Sequence, residues 1–251
     1  MINFVGAGPG AMDLITVRGM KLLEEADVII YAGSLVNKAL LEYASEDCKV
    51  YNSAEMTLEE TIQVMQESEA DGLDTVRLHT GDPAIYGAIR EQMNELDKLG
   101  IEYAVCPGVS SMFGAASVLK AELTPPEVSQ SVIITRAEGR TPVPEKESLK
   151  SLAAHNATMV IFLSVGMAEK VSRELIEGGY DENTPAAIVY KATWNDEKQV
   201  ITTVGKLAES AKANDINKTA LIMVGNFLNM NEGRSKLYDP TFTHEFREGE
   251  K

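Results

Sequence analysis

Cysteine is scarce in this chain: two thiols, Cys48 and Cys106, in 251 residues and in no CxxC pattern. A chain of that length with 44% hydrophobic residues buries a core without disulfides, so both read as reduced, semi-buried thiols. Long apolar runs are missing too. No segment approaches the ~20 residues of a membrane span, and Met1 to Val5 passes straight into glycines without the cationic stretch and apolar core of a secretory leader. The chain is therefore expected to be soluble and cytoplasmic, with no membrane partner. Positive charge is short, with 23 Lys and Arg against 38 Asp and Glu and a formal net charge of −15. That balance excludes general attraction to nucleic acid or anionic lipid, which need a basic face to displace counterions. An anionic ligand has to be met by a local cluster of arginines. Histidine is rare as well. His79, His155 and His244 share no ligand-like spacing, which predicts no protein-bound metal and three ordinary structural or surface histidines. No Ser-His-Asp or Cys-His arrangement announces a nucleophile.

What is present in the first half is an alternation of short apolar runs with helical periods, the rhythm of a parallel sheet with crossover helices. Strands are predicted at Ile2–Val5, Val28–Tyr31, Lys49–Tyr51, Thr75–His79 and Tyr103–Cys106. Helices are predicted at Val17–Ala26, with Thr16 as N-cap, and at Leu58–Glu69, Ile85–Leu99 and Met112–Lys120. The pattern stops around Glu122-Leu-Thr-Pro-Pro-Glu127, which predicts two domains, residues 1–121 with a mainly parallel sheet and residues 128–251 with a mixed one. In the second half, strands are expected at Ser131–Thr135, Thr158–Leu163, Ala186–Tyr190, Gln199–Thr203 and Ala220–Val224. Two clear helices, Met167–Glu177 and Val204–Ala213, separate them. The charged end Arg247–Lys251 reads as a frayed, solvated tail.

A strand followed by Gly6-x-Gly8-x-Gly10 invites a dinucleotide-binding reading, with backbone amides holding a pyrophosphate. Three features oppose it. The spacing is GxGxG rather than GxGxxG, Pro9 lacks an amide hydrogen, and the second strand ends in Tyr31-Ala32-Gly33 without an acid for a ribose. A structural tight turn or a loop facing another ligand remain. Two further loops leave the carboxyl ends of strands, where α/β sheets hold ligands: Thr80-Gly-Asp-Pro83 and Pro107-Gly-Val-Ser-Ser111. Each alone is ordinary strand-to-helix turn chemistry. Three together on one sheet edge point to a site.

In their order along the chain, Val5-Gly-Ala-Gly-Pro-Gly10 with Leu14-Ile-Thr16, Asp27-Val-Ile-Ile-Tyr31, Gly81-Asp-Pro83 with Tyr86-Gly87, and Pro107-Gly-Val-Ser110 resemble the tetrapyrrole methylases. The resemblance covers essentially the whole chain. It implies a class III S-adenosylmethionine-dependent methyltransferase: two α/β domains with an active-site cleft between them, S-adenosylhomocysteine as product, and a homodimer. Ala11-x-Asp-Leu-Ile-Thr-Val-Arg-Gly19, Tyr31-Ala-Gly-Ser-Leu-Val36 and Thr135-Arg-Ala-Glu-Gly-Arg-Thr-Pro-Val-Pro144 resemble the branch acting on carbon 11 of precorrin-4 or cobalt-precorrin-4 in cobalamin synthesis. Departures accompany it. Uroporphyrinogen methylases carry an aspartate where this chain has Ala32 and an arginine where it has Ala88, which argues for another substrate or ring position. The alternatives are a different corrin-ring methyltransferase, a diphthine synthase-like protein methyltransferase, or a non-catalytic sensor of the cofactor.

Carried over by position, the resemblance places cofactor contacts on Pro9, Gly81, Asp82, Ile85, Ser110, Ser111, Val165 and Ala192. Most of these act through backbone groups, as suits a neutral adenosine. The substrate is a polycarboxylate tetrapyrrole, and any cobalt arrives inside it. Arg136 and Arg140, in a Gly- and Pro-broken stretch after a strand, are the first candidates for its carboxylates, a surface loop of mixed charge being the alternative. Arg18, Arg90 and Lys191 are weaker candidates, and Tyr31, Ser34 and Tyr86 offer hydrogen bonds or a flat face to the ring. Glu138 is the candidate proton acceptor if the reaction releases a proton.

Overall fold

The computed structural model describes residues 1–229 and 235–249; the side chain of Ser34 lies outside the described residues, as do Glu250 and Lys251. Two compact units make up the chain. The first comprises Met1–Ala115 together with Lys191–Glu197; the second comprises Ala116–Tyr190 and the chain from Lys198 onward.

The first unit is built on a five-stranded, all-parallel sheet. Its strands are β1 (Ile2–Gly6), β2 (Val28–Tyr31), β3 (Lys49–Asn52), β4 (Thr75–His79) and β5 (Tyr103–Cys106), in the order β3-β2-β4-β1-β5. The three inner strands are buried along their whole length, and β2, Val28–Tyr31, accordingly reads as a continuous apolar run. Successive side chains still serve opposite faces. Val5, Ile29 and Leu78 pack with Leu23 of α1 (Val17–Glu24), whereas Phe4, Val28 and Ile30 pack with Ile62 and Met65 of α2 (Leu58–Ala70) and Leu96 of α3 (Ile89–Leu99). Each such fully buried side chain contributes roughly 1.5–3 kcal/mol relative to exposure.

Local chemistry starts the helices. Thr16 caps α1 by accepting from Gly19 N, and Thr57 with Glu60 forms a reciprocal capping box at α2. The third helix begins at Ile89, not at Ile85 as its spacing predicts. Tyr86 and Ala88 sit at φ 54° and 52°, and left-handed residues cannot join a right-handed helix. After β5 comes α4 (Ser111–Val118).

The second unit contains β6 (Val132–Arg136), α5 (Leu149–Ala153), β7 (Thr158–Phe162), α6 (Ala168–Gly178), β8 (Pro185–Tyr190), β9 (Lys198–Thr203), α7 (Leu207–Ala213) and β10 (Ala220–Val224). Its sheet, ordered β6-β7-β10-β8-β9, is mixed as expected: β6 and β7 run parallel, and the other neighbours are antiparallel. Leu149, Val171, Leu175 and Leu207 of the three helices cover Met159, Ile161, Ile188 and Ile222 of the sheet. Helix α5 is an addition to the two predicted. Its five residues are too few to show a period, and it exists because Ser148 caps it and Ala153 packs under Gly178, where a Cβ would lie 2.5 Å from the Ala153 Cβ.

The tail also departs from expectation. Arg247 donates to the carbonyls of Leu237 and Asp239 at 2.9 and 2.6 Å, and its backbone pairs with that of His244. Both cysteines are free thiols, Cys106 buried and Cys48 half-buried. No helix among the described residues is long and apolar enough to cross a membrane.

Candidate functional site

In the first sheet, the crossover from β1 leads past β4 to β2, and the crossover from β4 leads past β1 to β5. The two neighbours thus send their connections in opposite directions. Such a switch point opens a crevice at the strands' carboxyl ends, the usual ligand position in α/β sheets. The glycine loop after β1 and the Thr80–Pro83 loop after β4 meet there. Gly8 N donates to Gly81 O at 3.2 Å and Gly81 N to Gly8 O at 2.9 Å, with both glycines at positive φ. The loop after β5 joins through Gly108 N, which donates to Asp82 Oδ2 at 2.9 Å, while Asp82 Oδ1 accepts from Ala84 N at 2.8 Å. A Cβ on Gly6 would lie 2.6 Å from the Gly108 Cα, so three backbones touch where no side chain fits.

That packing decides what the glycine loop is for. Ala7 N donates to His79 O, Gly8 N to Gly81 O and Ala11 N to Thr193 Oγ1, and Pro9 has no amide hydrogen. These amides are committed inside the protein and leave no cradle for a pyrophosphate.

Pro9 is buried, and its surroundings come from distant sequence. Trp194 Nε1 donates to Pro9 O at 3.0 Å, and a Cβ on Gly114 would lie 2.5 Å from the Pro9 Cβ. A Cβ on Gly10 would strike the Trp194 ring at 2.0 Å, and Asn37 Nδ2 donates to Gly10 O at 2.8 Å. Ala192 is buried beside them, since the same Gly114 Cβ would touch its Cβ at 3.6 Å. Sequence reasoning missed Asn37, Thr193 and Trp194. The available signal was that the chain has a single tryptophan.

Ser110 is buried, its Oγ accepting from Met112 N at 3.4 Å as the cap of α4, and Ser111 opens that helix. Ile85 is half-buried in the turn that Asp82 O closes at 3.3 Å. Pro9, Gly81, Asp82, Ile85, Ser110, Ser111 and Ala192 therefore gather in the first unit around the three loops. None is basic, and the one acid, Asp82, is held by two backbone amides. This donor set fits a neutral adenosine better than a phosphate. Val165 belongs to the second unit, buried in the turn after β7.

Of the substrate candidates in the first unit, Tyr31 is buried, Tyr86 is exposed at φ 54°, and Arg18 and Arg90 are exposed on the first turns of α1 and α3. Lys191 donates to Asp196 Oδ2 at 2.6 Å, with its ammonium 5.1 Å from the Trp194 ring centre. In the second unit, Arg136 ends β6 and donates to the carbonyls of Thr141 at 3.1 Å, Pro142 at 2.8 Å and Ala137 at 3.4 Å, so its own loop wraps the guanidinium. Arg140 and Glu138 are exposed, and the carbonyl of Glu138 accepts from Lys170 Nζ at 2.8 Å.

Two polar residues inside β4 escaped the reading of that strand as an apolar run. Arg77 is buried, donating to Gln92 Oε1 at 3.0 Å and Ile30 O at 3.1 Å, and burial pulls its guanidinium down to about 10. His79 is buried too, with an Nε2 that has no partner among the described residues. Burial first, and the nearby Arg77 charge second, lower its pKa to about 3, so it is neutral at physiological pH.

The family model of the tetrapyrrole (corrin/porphyrin) methylases matches residues 1–208. The cobalt-precorrin-4 C(11)-methyltransferase of Methanocaldococcus jannaschii is 60% identical over 251 residues, covering 100% of this chain and 97% of that protein. A solved structure of a cobalamin biosynthetic enzyme, cobalt precorrin-4 methyltransferase, superposes with a TM-score of 0.89 at 49% identity, covering 91% of this chain and 95% of that one. The uroporphyrin-III C-methyl transferase from Thermus thermophilus complexed with S-adenyl homocysteine has a TM-score of 0.75 at 26% identity, covering 91% and 93%.

Proposed function

We propose, for a chain that belongs to the tetrapyrrole (corrin/porphyrin) methylases, methyl transfer from S-adenosylmethionine to carbon 11 of cobalt-precorrin-4 in cobalamin synthesis. The chain is an enzyme, a C-methyltransferase. The observation that carries the substrate is the 60% identity, spread over all 251 residues, to a protein named for that reaction. The cofactor reading is supported by the donor set at the three loops and by the relative complexed with S-adenyl homocysteine. Placement in the cytoplasm and a homodimeric state complete the proposal.

When bound, S-adenosylmethionine supplies an electrophilic methyl group on a sulfonium. The chain's own tasks are alignment and exclusion of water, and no nucleophilic side chain is needed. Pro9, Gly114 and Ala192 present a wall without charge, kept in place by the Trp194 hydrogen bond. Gly81, Ile85, Ser110 and Ser111 would hold the cofactor through backbone groups and one hydroxyl. Asp82 keeps its loop and the Gly108 loop in register. Arg18, Arg90 and Arg140, all exposed, would take substrate carboxylates in bidentate fashion. Arg136, held by three carbonyls, would shape the loop that carries Arg140. Lys191, Tyr31, Ser34 and Tyr86 would complete the ring's surroundings, and Glu138 would accept the departing proton.

Comparing turnover on cobalt-bearing and metal-free precorrin-4 tests the reading. Faster methylation of the cobalt form is expected; preference for the metal-free form would reassign the substrate. Turnover only on other precorrins would make it a different corrin-ring methyltransferase, and cofactor binding by calorimetry without any turnover would make it a sensor.

A further inference from the structure

A cavity of about 270 Å³ opens in the first unit at the carboxyl ends of β2 and β4, with Ser53, Thr57, Arg77, His79, Ala88 and Glu91 among its lining residues. We propose that this cavity binds an alkyl carboxylate, one acetate or propionate arm of the substrate, with Arg77 as its counter-charge. The identity of the arm's parent molecule rests on the function proposed above; the affinity for a carboxylate does not.

Arg77 is 7% exposed, yet among the described residues no carboxylate pairs with it. Its hydrogen-bond partners, Gln92 Oε1 and Ile30 O, are neutral. Buried charges are ordinarily paired, because removing an ion from water is costly unless an opposite charge offsets it. This chain has 38 acids for 23 basic side chains, so a shortage of carboxylates does not explain why Arg77 pairs with none among the described residues. A ligand carboxylate would supply the missing charge.

Two further observations converge on the same cavity. His79 is 3% exposed and lines it, and its Nε2 has no hydrogen-bond partner among the described residues. Buried polar atoms are nearly always satisfied, so one left open beside a cavity points to a partner that arrives with a ligand. The second is the start of α3, an eleven-residue helix whose N-cap is Ala88, a residue with no side chain to accept from the first turn. Its open N–H groups add positive potential. Gln92 Nε2 donates to Ala88 O at 3.0 Å and Gln92 Oε1 accepts from Arg77, so the guanidinium is tied to that turn through Gln92.

One acid, Glu91, lines the cavity; it is exposed and makes no ion pair with Arg77. It limits the net attraction and favours a single carboxylate over a doubly charged phosphate. The space is several times the ~30 Å³ share of a liquid water, enough for a short alkyl arm and an accompanying water.

The test uses the native protein with ring-¹⁵N histidine and sodium propionate as probe, against sodium chloride at equal ionic strength. With three histidines in the chain, a His79→Gln spectrum assigns the His79 signals. A saturable His79 shift with propionate, absent with chloride and absent in Arg77→Met, is expected. In the methyl-transfer assay, Arg77→Met should raise the substrate KM at least tenfold while the cofactor KM stays within twofold, and Arg77→Lys should recover part of the loss. A His79 response no larger than that to chloride would overturn the proposal. So would an Arg77→Met enzyme in which both KM values rise together with a lowered Tm, the mark of a merely structural arginine. If Arg77→Met does not fold, the native titration and Arg77→Lys decide. If the native enzyme methylates no precorrin, the function fails while the propionate titration still reads the site.

Discussion

Alanine at position 108 places a methyl carbon 2.2 Å from Gly81 O and 2.7 Å from the Gly6 Cα, all backbone atoms that cannot swing aside. The three loops of the site must separate. Overpacking of this kind costs about 1–3 kcal/mol, and the displaced Gly108 N–Asp82 hydrogen bond, with a charged acceptor, adds roughly 1.5–3 kcal/mol. A loss of about 2.5–6 kcal/mol lowers Tm by roughly 5–24 °C in a chain of this size. Gly72→Ala is the contrasting variant: Gly72 has positive φ, at 72°, which Gly108 does not, but nothing lies within 4 Å of its Cβ position. It should cost only the ~1–2 kcal/mol of a left-handed alanine. Thermal unfolding and calorimetric S-adenosylmethionine binding read both variants. Gly108→Ala should lose at least tenfold in cofactor affinity, and Gly72→Ala none. If Gly108→Ala melts and binds like Gly72→Ala, the loop-on-loop account of the glycines is wrong.

Three other outcomes follow from the same geometry. Trp194→Phe removes the donor to Pro9 O and should cost about 0.5–1.5 kcal/mol of stability, with weaker cofactor binding in the same titration; unchanged binding would detach Trp194 from the site. His79 stays neutral in the folded protein down to a pKa of about 3, while the unfolded chain protonates it near 6.5, so the unfolded state takes up the proton first as pH falls. Stability should therefore drop by about 1.5 kcal/mol more between pH 6.5 and 5 in the native protein than in His79→Gln, measured by urea unfolding; parallel pH profiles would contradict the buried neutral imidazole. Glu138→Gln should slow turnover by roughly 100-fold or more, the range of general acid–base contributions, and near-normal methylation would remove Glu138 from the mechanism.

Much of the first sheet was legible because its inner strands are buried on both faces. Val28–Tyr31 shows as an uninterrupted apolar run and Thr75–His79 through Val76 and Leu78, and their observed bounds agree with the predicted ones. The site loops were legible for a related reason. Glycine, aspartate and serine at strand ends are what close backbone approach and helix capping demand, and Gly8, Gly81, Asp82, Gly108 and Ser110 do that work. Where tertiary contacts decide, the sequence is silent. Tyr86 and Ala88 adopt left-handed conformations that neither residue prefers, so the start of α3 was misplaced. Trp194 reaches Pro9 across 185 positions, a pairing that no local spacing encodes. Arg136 shows as a free cation in sequence because the three carbonyls that hold it are backbone atoms, present at every residue. Arg77 and His79 were hidden inside a strand recognised by its apolar neighbours.

The central claim, methyl transfer to one ring carbon, is tested most directly with S-adenosylmethionine carrying a ¹³C-labelled methyl group, cobalt-precorrin-4 and the native enzyme, followed by NMR of the isolated macrocycle. A single new ¹³C methyl signal at carbon 11 is the predicted result. Label on a different carbon, or an unlabelled macrocycle from protein that binds the cofactor, would contradict it.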